Sequence, residues 1–399
     1  MSVAFDPAAA ARAGTLIDAY TEAARRGPVQ RVDIPGIGEV WLVTGWAEVR
    51  QALADPRLHK APSGPQRLTA RVRPDLSPVM RHMLTRDGEP HERLRRLITA
   101  AFTRHRVQTL EPRISELTDE LLDGIAVAGT DVAVDLMESF AFPLPLAVIF
   151  EILGVPIEWR SEIHRCFTSV LAASYVPDEE FAAALERLVD LSRSVVALRR
   201  DDPGEDLLTA LIEARDAGDR LSEDELIAMI VLLLGAGHET TTNLIGNGVR
   251  SLLEHPEQRA LLRADPVVAL EELLRYDPPL QMTFPLRATD ELDLGATRIG
   301  AGDLVFVGLL AANRDDAHFA QATRFDLGRA PNQHLTFGHG PHHCVGAALA
   351  RLEGRVALLR LFERFPGLRL APGALVGNPS LMFNGLAALP VYPGAQAQS

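Results

Sequence analysis

The sequence predicts a mostly α-helical protein with small β-sheets, folded as a single domain over residues 1–399. Three observations predict it. Apolar residues recur at spacings of three and four over long stretches, the period of helices that bury one face. Strand-like runs are few: 39–44, 304–309 after a glycine turn at 300–302, and short pieces near Leu368 and at 389–392. No Pro/Gly/Ser-rich linker divides the chain, although its length would ordinarily carry about two or three domains.

Composition narrows the function. Lys and Arg total 40 against 53 Asp and Glu, a net charge of −13. Such a chain has no general attraction for nucleic acid or acidic membrane surfaces. Lys60 is the only lysine, a bias of codon usage rather than of chemistry. Cys166 and Cys344 stand far apart and imply no disulfide framework, as in a reducing compartment. The first residues contain Asp6 and Arg12 without a continuous apolar core, unlike a signal peptide. The longest apolar run, 228–237, is about half the ~20 residues that cross a bilayer. A soluble cytoplasmic protein is expected, with no nucleic-acid and no membrane partner.

A helix is predicted over 90–103, starting at Pro90, with Leu94, Ile98, Ala101 and Phe102 as its apolar stripe. His91 and Arg95 fall on that stripe, about 40° apart at 100° per residue. Polar groups aimed at a core demand an anionic partner, unless they snorkel at the helix end. Arg93 and Arg96 point the other way and, with Arg104 and Arg106, predict a basic patch or simply a solvated face.

A longer helix is predicted over 222–254. Ser222 and Glu225 form a capping box, and His255-Pro256 ends it. Its middle breaks helix rules: Gly235 and Gly237 each cost about 1 kcal/mol relative to Ala, and Glu239-Thr240-Thr241-Thr242-Asn243 follow. Either the helix surfaces into solvent after residue 238, or the polar run serves a site. Leu233, Ala236, Gly237, Thr240 and Leu244 share one face, where small residues would admit a flat ligand.

A third helix, 266–276, has Pro266 at its first position and Pro278-Pro279 beyond its end. Glu272 and Arg275, three apart and off the Leu270/Leu273/Leu274 stripe, read locally as a surface ion pair.

The densest signal is Phe337-Gly-His-Gly-Pro-His-His-Cys344-Val-Gly346. A helix follows, with Leu349, Leu352, Val356, Leu359 and Phe362 at helical spacing and Pro366 past its end. Free N–H groups and the helix dipole would stabilise a thiolate at Cys344. Gly338 and Gly340 permit tight turns, and Gly346 permits close approach of a flat group. A buried structural cysteine, a zinc site with His339, His342 and His343, and a Cys/His nucleophile are the alternatives.

All six specified positions of this stretch match the haem-binding loop of the cytochrome P-450 superfamily, F-G-x-G-x-[H/R]-x-C-x-G, and the resemblance runs through essentially the whole chain. It implies haem b with Cys344 as the metal ligand and Phe337, Gly346 and His342 at the cofactor, His342 donating to a propionate. It also implies a groove for dioxygen at Ala236 and Gly237, with Glu239 and Thr240 as the acid–alcohol pair relaying protons. It names haem propionates as the partners of His91 and Arg95, with Arg287 as a third such ligand. The stretch from Arg287 to Asp293 is one residue shorter than the family's usual pattern. Glu272, Arg275 and Arg329 become a structural triad supporting the cysteine loop.

The implied activity is a monooxygenase that inserts one oxygen atom from dioxygen into a small apolar substrate, as in hydroxylation or epoxidation of a polyketide- or terpenoid-like natural product. Residues 61–85, Leu233, Ala236, Met282, Thr283, Phe284, Met382, Phe383 and Asn384 would line the pocket. Electrons would come from an acidic ferredoxin, docked on the arginine patch, and its NAD(P)H-dependent ferredoxin reductase. Oxidative coupling or ring closure on the same fold, and a non-catalytic haem protein that recruits a partner enzyme, are the rival readings.

Overall fold

The computed structural model describes residues 2–60, 77–99, 102–171, 176–204, 206–216 and 221–395. It divides into two compact units, one spanning Met1–His59, Val107–Leu144 and Thr240–Ser399, the other Lys60–Arg106 and Pro145–Glu239. The chain passes between them inside regular elements each time: the strand Leu58–Lys60 and the helices Arg104–Thr109, Pro143–Leu153 and Glu223–Glu254. A crossing inside a hydrogen-bonded element carries no linker composition, so none stands out in the sequence. Five helices carry the argument: α1 (Gly88–Thr99), α2 (Glu111–Val127), α3 (Glu223–Glu254), α4 (Pro266–Tyr276) and α5 (Ala347–Arg364).

The first unit holds a six-stranded sheet of β1 (Val3–Ala4), β2 (Val29–Ile34), β3 (Gly38–Val43), β4 (Leu58–Lys60), β5 (Leu286–Ala288) and β6 (Leu304–Val307), in the order β1-β2-β3-β6-β5-β4. β2 and β3 form a hairpin in register from Val29↔Val43 to Ile34↔Gly38. Its turn needs the positive φ of Gly36 (78°) and Gly38 (97°). Side chains alternate across the sheet: Val40, Leu42 and Phe306 enter one core cluster, and Val43, Val305 and Val307 the other. The strand reading at 304–309 shortens to Leu304–Val307, because Leu309–Ala312 turns into helix.

Helix α5 lies along α2, tied by Arg355 to Glu111 (2.9 Å), Arg360 to Asp119 (2.7 Å) and Arg364 to Asp123 (2.8 Å). Gly354 lets α5 meet α3 and α4 closely: a Cβ there would stand 2.9 Å from Leu244 Cδ2 and 3.2 Å from Leu270 Cδ1.

In the second unit, α1 begins two residues before the expected Pro90 and does not run to 103. Thr103 Oγ1 accepts the amide of Arg106 and opens the new helix Arg104–Thr109 instead. Ala101 lies outside the described residues. Lys60 is buried, with its amide donating to Asp87 Oδ2 at 2.7 Å. Burial pulls its amine down to about 8, against the opposing pull of Asp87. No helix among the described residues is long and apolar enough to cross a membrane.

Candidate functional site

The cysteine loop is shaped by its own backbone. Gly338 N–H donates to Leu335 O (2.8 Å), His343 N–H to Gly340 O (3.1 Å) and Cys344 N–H to Phe337 O (2.9 Å). Gly338 and Gly340 both sit at φ 73°, and a Cβ on Gly340 would stand 2.7 Å from Leu53 O. His342 closes the short turn Gly340–His342, and Gly346 precedes the first residue of α5. Cys344 is exposed, at the N-terminal end of that helix, whereas Cys166 is buried and its thiol is pushed up by that burial. A Cβ at Gly346 would have one neighbour, Cys344 Sγ at 3.9 Å, so its absence keeps the approach to the sulfur open.

Two neighbouring carboxylates of α4, Glu272 and Glu271, each gather arginine donors. Glu272 and Arg275, read locally as a surface pair, are wholly buried, each with 0 % side-chain exposure. Arg275 gives Nε and Nη2 to Glu272 (2.7 and 2.8 Å), and its remaining protons to the carbonyls of Asn313, Ala322 and Arg324. Arg329 joins at 3.1 Å, and the Asp326 amide and Asn332 Nδ2 complete the shell around Glu272. The structure thus brings Glu272, Arg275 and Arg329 together.

The neighbouring Glu271 was not singled out by the sequence. It accepts from Arg351 (2.6 and 2.9 Å) and from His334 Nε2 (2.9 Å). Burial alone would push Glu271 up, but the hydrogen bonds from Arg351 and His334 win and hold it at about 2. The Arg351 guanidinium lies 4.3 Å from the centroid of Phe337.

Helix α3 starts on the expected capping box: Ser222 N–H donates to Glu225 (2.9 Å), and Glu225 N–H to Ser222 Oγ (3.2 Å). It does not surface after residue 238; His238, Thr241, Thr242, Asn243 and Asn247 are buried. Ala236 is exposed, and Gly237, Glu239 and Thr240 are half-buried. A Cβ at Gly237 would meet Ile149 at 3.1 Å, and one at Gly235 would meet Phe167 at 2.7 Å. These glycines make room for the unit's own packing, and Leu233 is buried too. His238 Nδ1 lies 2.6 Å from Leu234 O, and burial pulls its ring down to about 4, so it is neutral at pH 7.

On α1, His91 is buried and Arg95 half-buried, four residues apart on one face. Arg93 departs from the expected patch: it pairs with Glu225, and both side chains are largely buried. Arg96 and Arg106 are exposed, and the Arg104 side chain lies outside the described residues. Arg287, in β5, donates to the Gly302 carbonyl at 2.8 Å.

The segments 280–284 and 380–384 are laced together, with Gln281 N–H donating to Met382 O at 2.8 Å and Leu280 bridging Phe383. Two pocket assignments fail there. Met282 is packed inside the core with Phe5, Tyr20 and Phe306. Asn384 gives its amide to Asp277 (2.7 Å) and the Pro278 carbonyl (2.9 Å), which makes it a clamp on the chain after α4. Phe284 is exposed, and Thr283, Met382 and Phe383 are half-buried. Of the expected 61–85 lining, residues 61–76 lie outside the described residues.

Among the described residues no group of three His, Cys, Asp or Glu could hold a metal ion, so the zinc reading finds no ligand set. An accessible cysteine at a helix N-terminus fits a metal that brings its other ligands in a ring of its own. The sequence profile described as cytochrome P-450 matches residues 178–265 and 267–370. Cytochrome P-450 107B1 of Saccharopolyspora erythraea is 46% identical over 383 residues, 93% of each chain. The chain belongs to the cytochrome P-450 family.

The mycinamicin IV hydroxylase/epoxidase of Micromonospora griseorubida is 42% identical over 360 residues, 89% of each chain. The tirandamycin C-bound P-450 monooxygenase TamI superposes with a TM-score of 0.88 at 37% identity, covering 98% of this chain and 100% of its own. This cytochrome P-450 is therefore an oxygen-incorporating oxidoreductase, a monooxygenase whose cofactor is thiolate-ligated haem b. It takes a small-molecule substrate, dioxygen and electrons from redox partners.

Proposed function

We propose that Cys344 is the thiolate ligand of this monooxygenase and that the substrate is a medium-sized natural product of polyketide or terpenoid type, hydroxylated or epoxidised. The observation that carries the reading is the accessible Cys344 at the head of α5, opened by Gly346. When bound at Cys344, a thiolate-ligated haem would supply the chemistry of dioxygen activation. The residues do the rest. The free N–H groups at the start of α5 hold the negative charge on Cys344 Sγ. His91, Arg95, His342 and Arg287 would donate to the carboxylates of the haem, and Phe337 and Gly346 would help hold it. The Glu239 carboxyl brings protons in from its half-buried position, and Thr240 Oγ1 passes them on.

Ala236, Thr283, Phe284, Met382 and Phe383 are the substrate-facing set, with the buried Leu233, Met282 and Asn384 set aside. Relatives named for mycinamicin IV and tirandamycin C favour a substrate of that kind. The acidic ferredoxin, with its NAD(P)H-dependent reductase, is assigned to the exposed Arg96 and Arg106. Crossings within elements favour one folding domain, and the composition favours the cytoplasm.

The test is to titrate candidate natural products into the purified ferric protein and follow the Soret shift of water displacement. Binders are then turned over under ¹⁸O₂ with a ferredoxin and its reductase. One labelled oxygen atom in the product supports the reading; product formation without label would overturn oxygen insertion in favour of coupling or ring closure.

A further inference from the structure

We propose that Glu271 and Arg351 are positioning residues that hold Phe337 and set the ease of reduction of the iron bound at Cys344, an inference that rests on Cys344 being the ligand. The chain of contacts is continuous. Glu271, on α4, takes two hydrogen bonds from Arg351, on α5. The guanidinium carbon of Arg351 lies over the Phe337 ring, 4.3 Å from its centroid. The carbonyl of that same Phe337 accepts the Cys344 amide at 2.9 Å. A side-chain pair between two helices therefore fixes the residue that fixes the peptide of the cysteine.

His334 closes the arrangement. Its Nδ1 accepts the Thr336 amide at 3.3 Å, so the proton sits on Nε2, which donates to Glu271. The brace sets one carboxylate against one guanidinium, with the His334 ring nitrogen as a further donor to the carboxylate. Glu271 remains ionised at working pH because its carboxyl is held at about 2. It is distinct from the Glu272–Arg275 pair, whose hydrogen bonds go to other carbonyls.

Charge next to a redox centre acts with a definite sign: an uncompensated cation favours the reduced form, and an uncompensated anion the oxidised form. The experiment is a spectroscopic redox titration of the loaded protein with Glu271→Gln, Arg351→Gln and the double variant. The reduced carbon monoxide spectrum is recorded alongside. Glu271→Gln should shift the ferric/ferrous potential upward, Arg351→Gln downward, and the double variant back toward wild type. Arg351→Lys, which keeps the charge but not the guanidinium over the ring, should keep the potential. It should convert faster to the form lacking thiolate ligation on standing.

Shifts of equal sign in both single variants, or none in either, overturn the proposal, since a purely structural brace would loosen the loop the same way from either side. If the single glutamine variants do not load haem, the Lys variant decides. A wild-type rate of thiolate loss there overturns the role of the Arg351–Phe337 contact. A wild type without the thiolate spectrum would instead overturn the assignment of Cys344 itself.

Discussion

Arg275 and Glu272 share two hydrogen bonds, of 2.7 and 2.8 Å, with no side-chain surface of either exposed. Removing one partner would leave a buried charge uncompensated, at a cost of about 3–5 kcal/mol. Arg275→Met should therefore sharply lower the thermal midpoint and the haem content. Arg329→Lys, at the edge of the same network, should cost less. Equal midpoints for Arg275→Met and wild type would show that the network is not structural.

Cys344→Ser should abolish the strongly red-shifted Soret band of the reduced carbon monoxide complex, because oxygen is a far poorer donor than sulfur. Cys166→Ser should keep that band, since its buried thiol lies in the other unit. The absorption spectrum of each purified variant decides the axial assignment.

Thr240→Ala removes a half-buried hydroxyl next to Glu239 and little volume. Reductant should be consumed at a comparable rate while product falls several-fold and hydrogen peroxide rises. Thr242→Ala is the control: its Oγ1 is buried without a hydrogen-bond partner, about 200° around the helix from Thr240. A fully coupled Thr240→Ala enzyme would place the proton route elsewhere.

Glu271 has a depressed carboxyl, so its contribution to stability is fully present above about pH 4.5, the ordinary carboxylate range. It is lost as pH falls toward about 2, where the folded carboxyl takes up its proton. The loss should amount to on the order of 2–3 kcal/mol across that window. Urea unfolding between pH 3 and pH 6 should show a shallower slope for Glu271→Gln than for wild type.

Arg96→Glu should slow reduction by an acidic ferredoxin at low ionic strength and flatten its salt dependence, as charge steering requires. Arg93→Glu is a different perturbation, since it sets two carboxylates against each other at Glu225. It should lower the thermal midpoint. Stopped-flow reduction together with a melting curve separates the two effects.

The cysteine loop, the capping box at Ser222 and the bounds of α4 were legible because each is local: caps, prolines and spacing lie within a few residues of one another. The partners of a helical face were not. A wheel placed Gly237 beside Ala236, but only the fold shows that Ile149 fills the space its side chain would need. Glu271 and Arg351 are 80 residues apart, and nothing in either neighbourhood marks them as a pair. Strand β2 escaped notice because its buried residues Val29, Val32 and Ile34 are spaced by three and then two, matching neither period. Met282 and Asn384 looked like pocket residues from their place in the chain, while packing and hydrogen bonding commit both to the interior.

Lys60 makes the protein a natural single-probe system. Every other side-chain cation is a guanidinium or an imidazole, so, the α-amino group aside, an amine-selective acylating reagent has one target. That target is buried, yet near pH 8 it is about half unprotonated and so nucleophilic. The rate at which Lys60 is acylated therefore clocks how often the packing around it and Asp87 opens, with no background from surface amines.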